Sequence, residues 1–467
     1  MNWRRLDLPS NLFEQYESAV AAALAEMRAV EAGEKVNRDE QRAVGHYWLR
    51  RPEIAPAAER REIESAWEQV ERFADSSRGR FRKFLLIGIG GSALGPQLLY
   101  HAFREPGQTP PLFVFDNTDP EGFDRTLRDI EAQGGWRDTL TIVISKSGGT
   151  PETRNGMIVA QRACQEAGVD FARQAVAVTQ PGSRMHQETA GWLARFPIWE
   201  WVGGRTSICS PVGLLPMALL GFRWRDLLAG AKAMDERTAP AVPPRENSAM
   251  QLALAWHHLI ERRGLTHMVM LPYSDRLALL SSYLQQLIME SLGKEGQGLT
   301  VFGNKGSTDQ HSYVQQLRDG RPDFFAGFVR ILKPRSSGAA NVEVEDGVTS
   351  ADYLAAFEEG TARALHEAGR PSFRITLEQL DEFSLGELVA LFERAVGYYA
   401  AIIGINAYHQ PGVQAGKEAA AGYLRIQRAI LRHGQFGSIE ELSQAVGAER
   451  DLVEDIVRRL RLAGRLN

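Results

Sequence analysis

The stretch FLLIGIGGSALGPQLL, residues 84–99, decides the fold class. An unbroken apolar run meets a glycine-rich turn and then a helical segment, which is how a parallel β-α-β unit begins. The alternation continues, with strands expected at LFVFD, TIVIS, QAVAV and FPIWEW and helices starting near Ala93, Pro120, Pro151 and Arg184. One mostly parallel sheet is expected from them. Residues 10–75 read as helical, and the Pro-rich TAPAVPPREN, 238–247, reads as a domain linker. A second α/β unit follows, with strands HMVMLP, LTVFG, FFAGFVRIL and SFRIT and a surface loop from Arg335 to Thr349. Leu385–Ala407 is expected to be a long helical region, followed by a helix running to about Leu431. The division expected is 1–75 helical, 76–240 first α/β domain, 247–431 second, and 432–467 a small helical extension with a winged-helix-like outline. In that extension Arg458, Arg459 and Arg461 share a helix with Glu449, Asp451, Glu454 and Asp455. The acidic residues repel phosphate, so a packing or dimer-contact element is favoured over DNA binding.

A chain of 467 residues, 44% hydrophobic and 24% charged, has the composition of an ordinary globular protein. A net charge of -4 gives no bulk attraction to nucleic acid or anionic membrane, so an anionic ligand needs a local site. Cys164 and Cys209 are the two cysteines; they lack metal-ligand spacing and fit buried thiols in a reducing cytoplasm. The first twenty or so residues lack the apolar core of a signal peptide, and Glu393 and Arg394 interrupt the longest apolar run, so neither export nor a membrane span is expected.

Chemistry concentrates between Ser282 and Gly320. Leu277–Gly293 reads as one helix carrying Gln286 and Glu290 on one face, the latter a possible base. Ser307 and Gln310 have capping-box spacing, which predicts His311 in the first turn of the next helix, where the dipole disfavours imidazolium.

Two loops look suited to anions. Gly90, Gly91 and Ser92 in GIGGSALG are expected to turn backbone N–H groups toward a phosphate. The same glycines, with Asp116 on the next strand, loosely fit a dinucleotide fingerprint, or merely a tight turn. In SKSGGTPET, Ser145, Ser147, Thr150 and Thr153 bring four hydroxyls to a helix start, with Thr150 as N-cap and Pro151 at its first position. Capping needs one hydroxyl, so phosphate binding is the better reading. Arg205, in GGR after an apolar strand, is placed to stabilise an oxyanion; a surface salt bridge is the alternative. Lys417 alone would pass as a helix-surface lysine.

Taken together and in order, GIGGSALGP, SKSGGTPET, WVGGRTSICSPVGL, MESLGK, GSTDQHSYVQQ and QPGVQAGK resemble the glucose-6-phosphate isomerase family over roughly residues 40–430. The resemblance implies two sugar-isomerase (SIS) domains, each a doubly wound, mostly parallel sheet flanked by helices. It implies reversible interconversion of glucose 6-phosphate and fructose 6-phosphate, in glycolysis and gluconeogenesis, by a cytoplasmic homodimer that uses no cofactor and no metal. By the same resemblance Glu290 is the base, His311 a ring-opening histidine supplied across the dimer interface, Lys417 the lysine near the ring oxygen, and Arg205 the intermediate-stabilising cation. Gly91, Ser92, Ser145, Ser147, Thr150, Thr153, Gln286 and Gln410 match substrate contacts. This chain departs from the family pattern at Thr206, where an aromatic is usual, and at His409 and Gln414 beside the lysine motif. Rival readings are a non-catalytic sugar-phosphate-binding protein, an isomerase that also accepts mannose 6-phosphate, and an NAD-dependent oxidoreductase.

Overall fold

The computed structural model describes residues 1–334 and 342–466, and of residues 413–415 the backbone alone. The chain forms two compact units, Met1–Tyr408 and His409–Asn467. In the first, strands β1 (Lys83–Ile87), β2 (Leu112–Phe115), β3 (Thr139–Ile144), β4 (Ala175–Thr179) and β5 (Ala194–Pro197) make one sheet in the order β2-β1-β3-β4-β5. Every pairing is parallel. β1, β3 and β4 are buried throughout, as helix-covered parallel strands built largely of Leu, Ile and Val should be. β1 lies between β2 and β3, so the strand order reverses there, and the loops leaving β1 and β3 open side by side where such sheets hold ligands.

A second sheet contains β6 (His267–Pro272), β7 (Thr300–Phe302), β8 (Phe324–Ile331) and β11 (Ser372–Leu377), in the order β11-β8-β6-β7 and again parallel. Of the expected loop Arg335–Thr349, residues 335–341 lie outside the described residues; beyond them β9 (Glu343–Glu345) and β10 (Val348–Thr349) form a small hairpin.

Three expectations need correction. Residues 32–56 are turns and a short 3-10 segment, not helix. A Cβ on Gly45 would fall 2.2 Å from the Trp48 ring and 2.6 Å from Trp201, a fit no larger residue allows. Strand β5 stops at Pro197, because Trp199 and Trp201 stack on each other at 4.9 Å rather than extending the sheet. The Pro-rich stretch before Asn247 is tied down: Asn247 is buried and its Nδ2 donates to the Thr238 and Ala239 carbonyls at 3.0 and 3.2 Å and to the Tyr398 hydroxyl at 3.2 Å.

Where the 46–51 segment meets helices Trp224–Arg237 and Glu382–Ile403, the core holds charge. Asp235 Oδ1 accepts from Arg50 Nε at 3.1 Å, Arg50 Nη2 at 2.9 Å and Arg394 Nη2 at 2.7 Å. Arg50 also pairs with Glu393, and Arg394 with Glu31. Removing one charged partner from such a cluster is strongly destabilising, because it leaves a buried charge uncompensated.

The second unit is three helices, Pro411–His433, Ile439–Val446 and Arg450–Leu462, closed over Ile430, Leu442, Val453, Ile456, Val457 and Leu460. Arg459 Nε donates to the Tyr423 hydroxyl at 3.1 Å, and Arg461 lies over the Phe436 ring. Two of the three arginines considered for DNA are therefore engaged within the module. Among the described residues no helix is long and apolar enough to cross a membrane.

Candidate active site

The turn after β1 is built for close approach. Gly90 has φ +57°, and a Cβ there would lie 2.9 Å from Gln286 Nε2. A Cβ on Gly91 would lie 1.9 Å from the Gly204 carbonyl oxygen, so only glycine lets this turn seat against the turn Gly204–Thr206. Ser92, half-buried beside them, spends its N–H on the Ile89 carbonyl at 3.2 Å, so it is not the open donor that was expected. Arg205 is carried by the Gly204–Thr206 turn and is 6% exposed. Its Nη1 stands 3.9 Å from Glu290 Oε1, the outer limit of an ion pair. Burial lowers the proton affinity of Arg205, and the Glu290 carboxylate opposes that loss. Gly90, Gly91, Arg205, Gln286 and Glu290, spread over two hundred residues of sequence, thus meet at one place.

Glu290 reaches it through an irregular helix. Instead of one helix from Leu277 to Gly293, a 3-10 turn at Asp275–Leu277 precedes α-helix at Leu280–Leu284, a π turn at Gln285–Met289 and a last α turn at Glu290–Leu292. The π turn widens the helix just before the carboxylate, a deformation found mostly at functional positions.

After β3, the loop is shaped by its own hydroxyls. Ser145 Oγ accepts from Gly148 N–H and Ser147 Oγ from Gly149 N–H, each at 3.1 Å, so these two N–H groups are engaged within the loop. Thr150 has N-cap backbone geometry before helix Pro151–Glu166, yet its side chain makes no capping bond. Thr153 is buried, and its hydroxyl has no hydrogen-bond partner among the described residues. Mere capping does not account for either hydroxyl.

His311 is not in the first turn of a helix. It ends the 3-10 turn Thr308–His311, while the next α-helix is Val314–Asp319. Ser307 has φ +69° and makes no side-chain cap, so the capping-box spacing is unused and the dipole expectation for His311 lapses. The turn is bolted from inside instead. Buried Asp309 accepts from Asn304 N–H at 3.0 Å and from the Tyr313 hydroxyl, and Gln310 Nε2 donates to the Phe357 carbonyl at 3.3 Å. His311 is left exposed, and none of the described hydrogen bonds or ion pairs joins it to Glu290 or Arg205. Gln410 and Lys417, both exposed, belong to the second unit, Gln410 preceding and Lys417 lying in the second turn of helix Pro411–His433. The side chain of Gln414 lies outside the described residues.

Two lysines inside the quoted motifs had drawn no role. Lys146, in SKSGGT, donates to the Glu200 and Val202 carbonyls at 2.8 and 2.9 Å, tying the loop after β3 to the segment that runs into Gly203–Arg205. Burial, helped by Arg42, brings it down to about 8. Lys294, four residues beyond Glu290, donates to the Asn406 carbonyl at 2.5 Å; burial first, then Arg205, lowers it to about 8. Their signal in the sequence was a lysine inside each of two glycine-containing motifs that carry the site. Cys164 and Cys209 are buried and free, and burial pushes both thiols up to about 12.

A family model described as phosphoglucose isomerase matches residues 10–438. The chain belongs to the phosphoglucose isomerase family. The match reaches further at both ends than the motifs alone did and stops inside the second unit. Among relatives, the glucose-6-phosphate isomerase of Geobacter sp. (strain M21) is 51% identical over 447 residues, 91% of this chain and 83% of that protein. That of Synechococcus sp. (strain JA-3-3Ab) is 54% identical over 434 residues, 88% of this chain and 80% of that one. A solved glucose-6-phosphate isomerase from Chlamydia trachomatis superposes with a TM-score of 0.81 at 28% identity, covering 90% of this chain and 85% of that structure. The two-sheet α/β architecture is thus the one the phosphoglucose isomerase motifs implied.

Proposed function

We propose that the chain interconverts glucose 6-phosphate and fructose 6-phosphate through a cis-enediolate, with Glu290 moving the proton between C1 and C2. What supports this most is the Arg205–Glu290 pair at 3.9 Å, seated against the Gly90–Gly91 turn where the strand order reverses. One carboxylate on one face of the substrate can take the proton from one carbon and return it to the other. The enediolate formed between carries negative charge on oxygen, and a fixed guanidinium stabilises it more than the neutral carbonyl. The Ser145, Ser147, Thr150 and Thr153 hydroxyls hold the phosphate away from the bonds that change, so its binding energy orients the sugar. Gly91, Ser92, Gln286 and Gln410 contact the sugar. Lys417 serves the ring oxygen. The exposed His311 completes the ring-opening pair in a second copy of the chain, so the working form is a homodimer, in the cytoplasm.

The test is a coupled assay of the purified protein with fructose 6-phosphate, with and without a chelator, and with mannose 6-phosphate as a second substrate. Turnover of fructose 6-phosphate unchanged by chelator supports the reading; its absence from a folded dimer sinks it, and turnover of mannose 6-phosphate widens the specificity. Arg205→Ala is expected to lower kcat by about a hundredfold or more while KM changes less. Weakened binding at unchanged kcat would reduce Arg205 to an anchor. Asp309→Ala, which unbolts the His311 turn, is expected to lower kcat about ten- to a hundredfold at a stability cost of about 1–3 kcal/mol. Steady-state kinetics and urea unfolding of the same sample check both figures.

A further inference from the structure

A cavity of about 20 Å³ adjoins Arg205, lined in part by His46, Thr206, Glu393 and Tyr408. One water needs about 10–15 Å³ and two to four polar partners. His46 Nδ1, His46 Nε2, Tyr408 Oη and Glu393 Oε1 are all buried and have no hydrogen-bond partner among the described residues. Three residues lining one water-sized space thus carry unmatched polar atoms, one ring nitrogen of His46 at most facing it, which is unlike an apolar cavity that stays dry. His46 is 2% exposed, and its ring stands 3.9 Å from that of Tyr47, which itself lies beneath Arg394 and Arg50. Burial first, and then the Arg50 and Arg394 guanidinium groups, hold His46 well below the ordinary histidine range. The ring is therefore neutral, with one nitrogen donating and the other accepting.

We infer that His46 is a positioning residue for Arg205, acting through one ordered water in this cavity that it shares with Tyr408 and Glu393. The chain path favours this role. The N–H of Gly45, next to His46, donates to the Trp201 carbonyl at 3.0 Å, so the histidine is clipped to the segment that runs into Gly203–Arg205. The chemistry favours it as well. A guanidinium only donates hydrogen bonds, so whatever fixes its inner edge must accept them. A carboxylate bound directly there would quench the positive charge that the enediolate needs. A water held by a neutral imidazole, a tyrosine hydroxyl and a carboxylate already paired with Arg50 fixes the orientation and leaves the charge available to the substrate.

The inference rests on the reading of Arg205 as the cation that stabilises the enediolate, and the experiment separates the two. His46→Leu and Tyr408→Phe keep size and remove polarity; His46→Gln restores a donor and an acceptor. With fructose 6-phosphate and the full-length protein, His46→Leu is expected to lower kcat about ten- to a hundredfold with KM nearly unchanged, as lost supporting contacts do elsewhere. Tyr408→Phe should lower it less, and His46→Gln should recover most of it. A high-resolution crystal structure should show water density within hydrogen-bonding distance of His46. A dry cavity, or wild-type kcat in His46→Leu with a raised unfolding midpoint, overturns the inference, since removing truly unmatched polar groups stabilises. Parallel losses of kcat and midpoint, with Gln no better than Leu, also overturn it by making His46 merely structural. Arg205→Ala is measured alongside. If it keeps turnover, the reading of Arg205 falls and takes the inference with it. If it is impaired while His46→Leu is not, the inference alone falls.

Discussion

Replacing Glu290 by Gln is expected to leave the fold and sugar-phosphate binding intact while lowering isomerisation by about two to four orders of magnitude, the range a positioned base supplies. The upper end applies, because one group both takes and returns the proton, so both half-reactions lose it. The amide has the size and shape of the carboxylate but cannot hold a proton at neutral pH. The side chain is 19% exposed and stands 3.9 Å from Arg205, so the substitution breaks no tight contact. Exchange of the substrate C2 hydrogen with solvent is the sharper measurement, since it follows the proton rather than the product. Turnover near that of the wild type would remove Glu290 from the role assigned to it.

Asp235→Ala is expected to cost about 3–5 kcal/mol of stability, the penalty for stripping one partner from a buried ionic cluster. Arg50 and Arg394, whose side chains are both at 0% exposure, would each lose their hydrogen bond to Oδ1 with no water to replace it. The pH dependence carries a second signature. Burial alone would raise the Asp235 carboxyl, but Arg394 and Arg50 outweigh it and hold the group at about 2, below its ordinary 3.8. A depressed carboxylate gives stability that is complete above the unfolded value and lost as pH falls through the folded one. Wild type should therefore lose part of its margin over Asp235→Ala between pH 3.8 and about 2. Urea unfolding of both proteins across that window measures it.

The sheets were legible because their central strands are buried on both faces, which forces short apolar runs of Leu, Ile and Val bounded by turn residues. The loops after β1 and β3 were legible for a related reason: glycines and hydroxyls between a strand and a helix leave few other uses. What stayed hidden depends on contacts distant in sequence. Arg205 and Glu290 are 85 positions apart, and no local pattern states that Gly204 rests on Gly91. Trp199 and Trp201 suit a strand by propensity, but stacking on each other is worth more to them. Ser307 and Gln310 carry the capping spacing, yet a φ of +69° at Ser307 denies the cap its geometry. Lys146 and Lys294 were in plain view, but a lysine shows its purpose only when its carbonyl partners are known.

The π turn at Gln285–Met289 behaves as one residue inserted into an otherwise regular helix. Excising one of those five would restore ordinary winding and regain well-aligned backbone bonding, and the helix beyond would keep nearly the same phase, because the wide turn absorbs its extra residue locally. Shortened versions of this segment should therefore melt higher while losing the wide turn that sets Gln286 against Gly90, so a library ranked on thermal resistance alone would discard a substrate contact unnoticed.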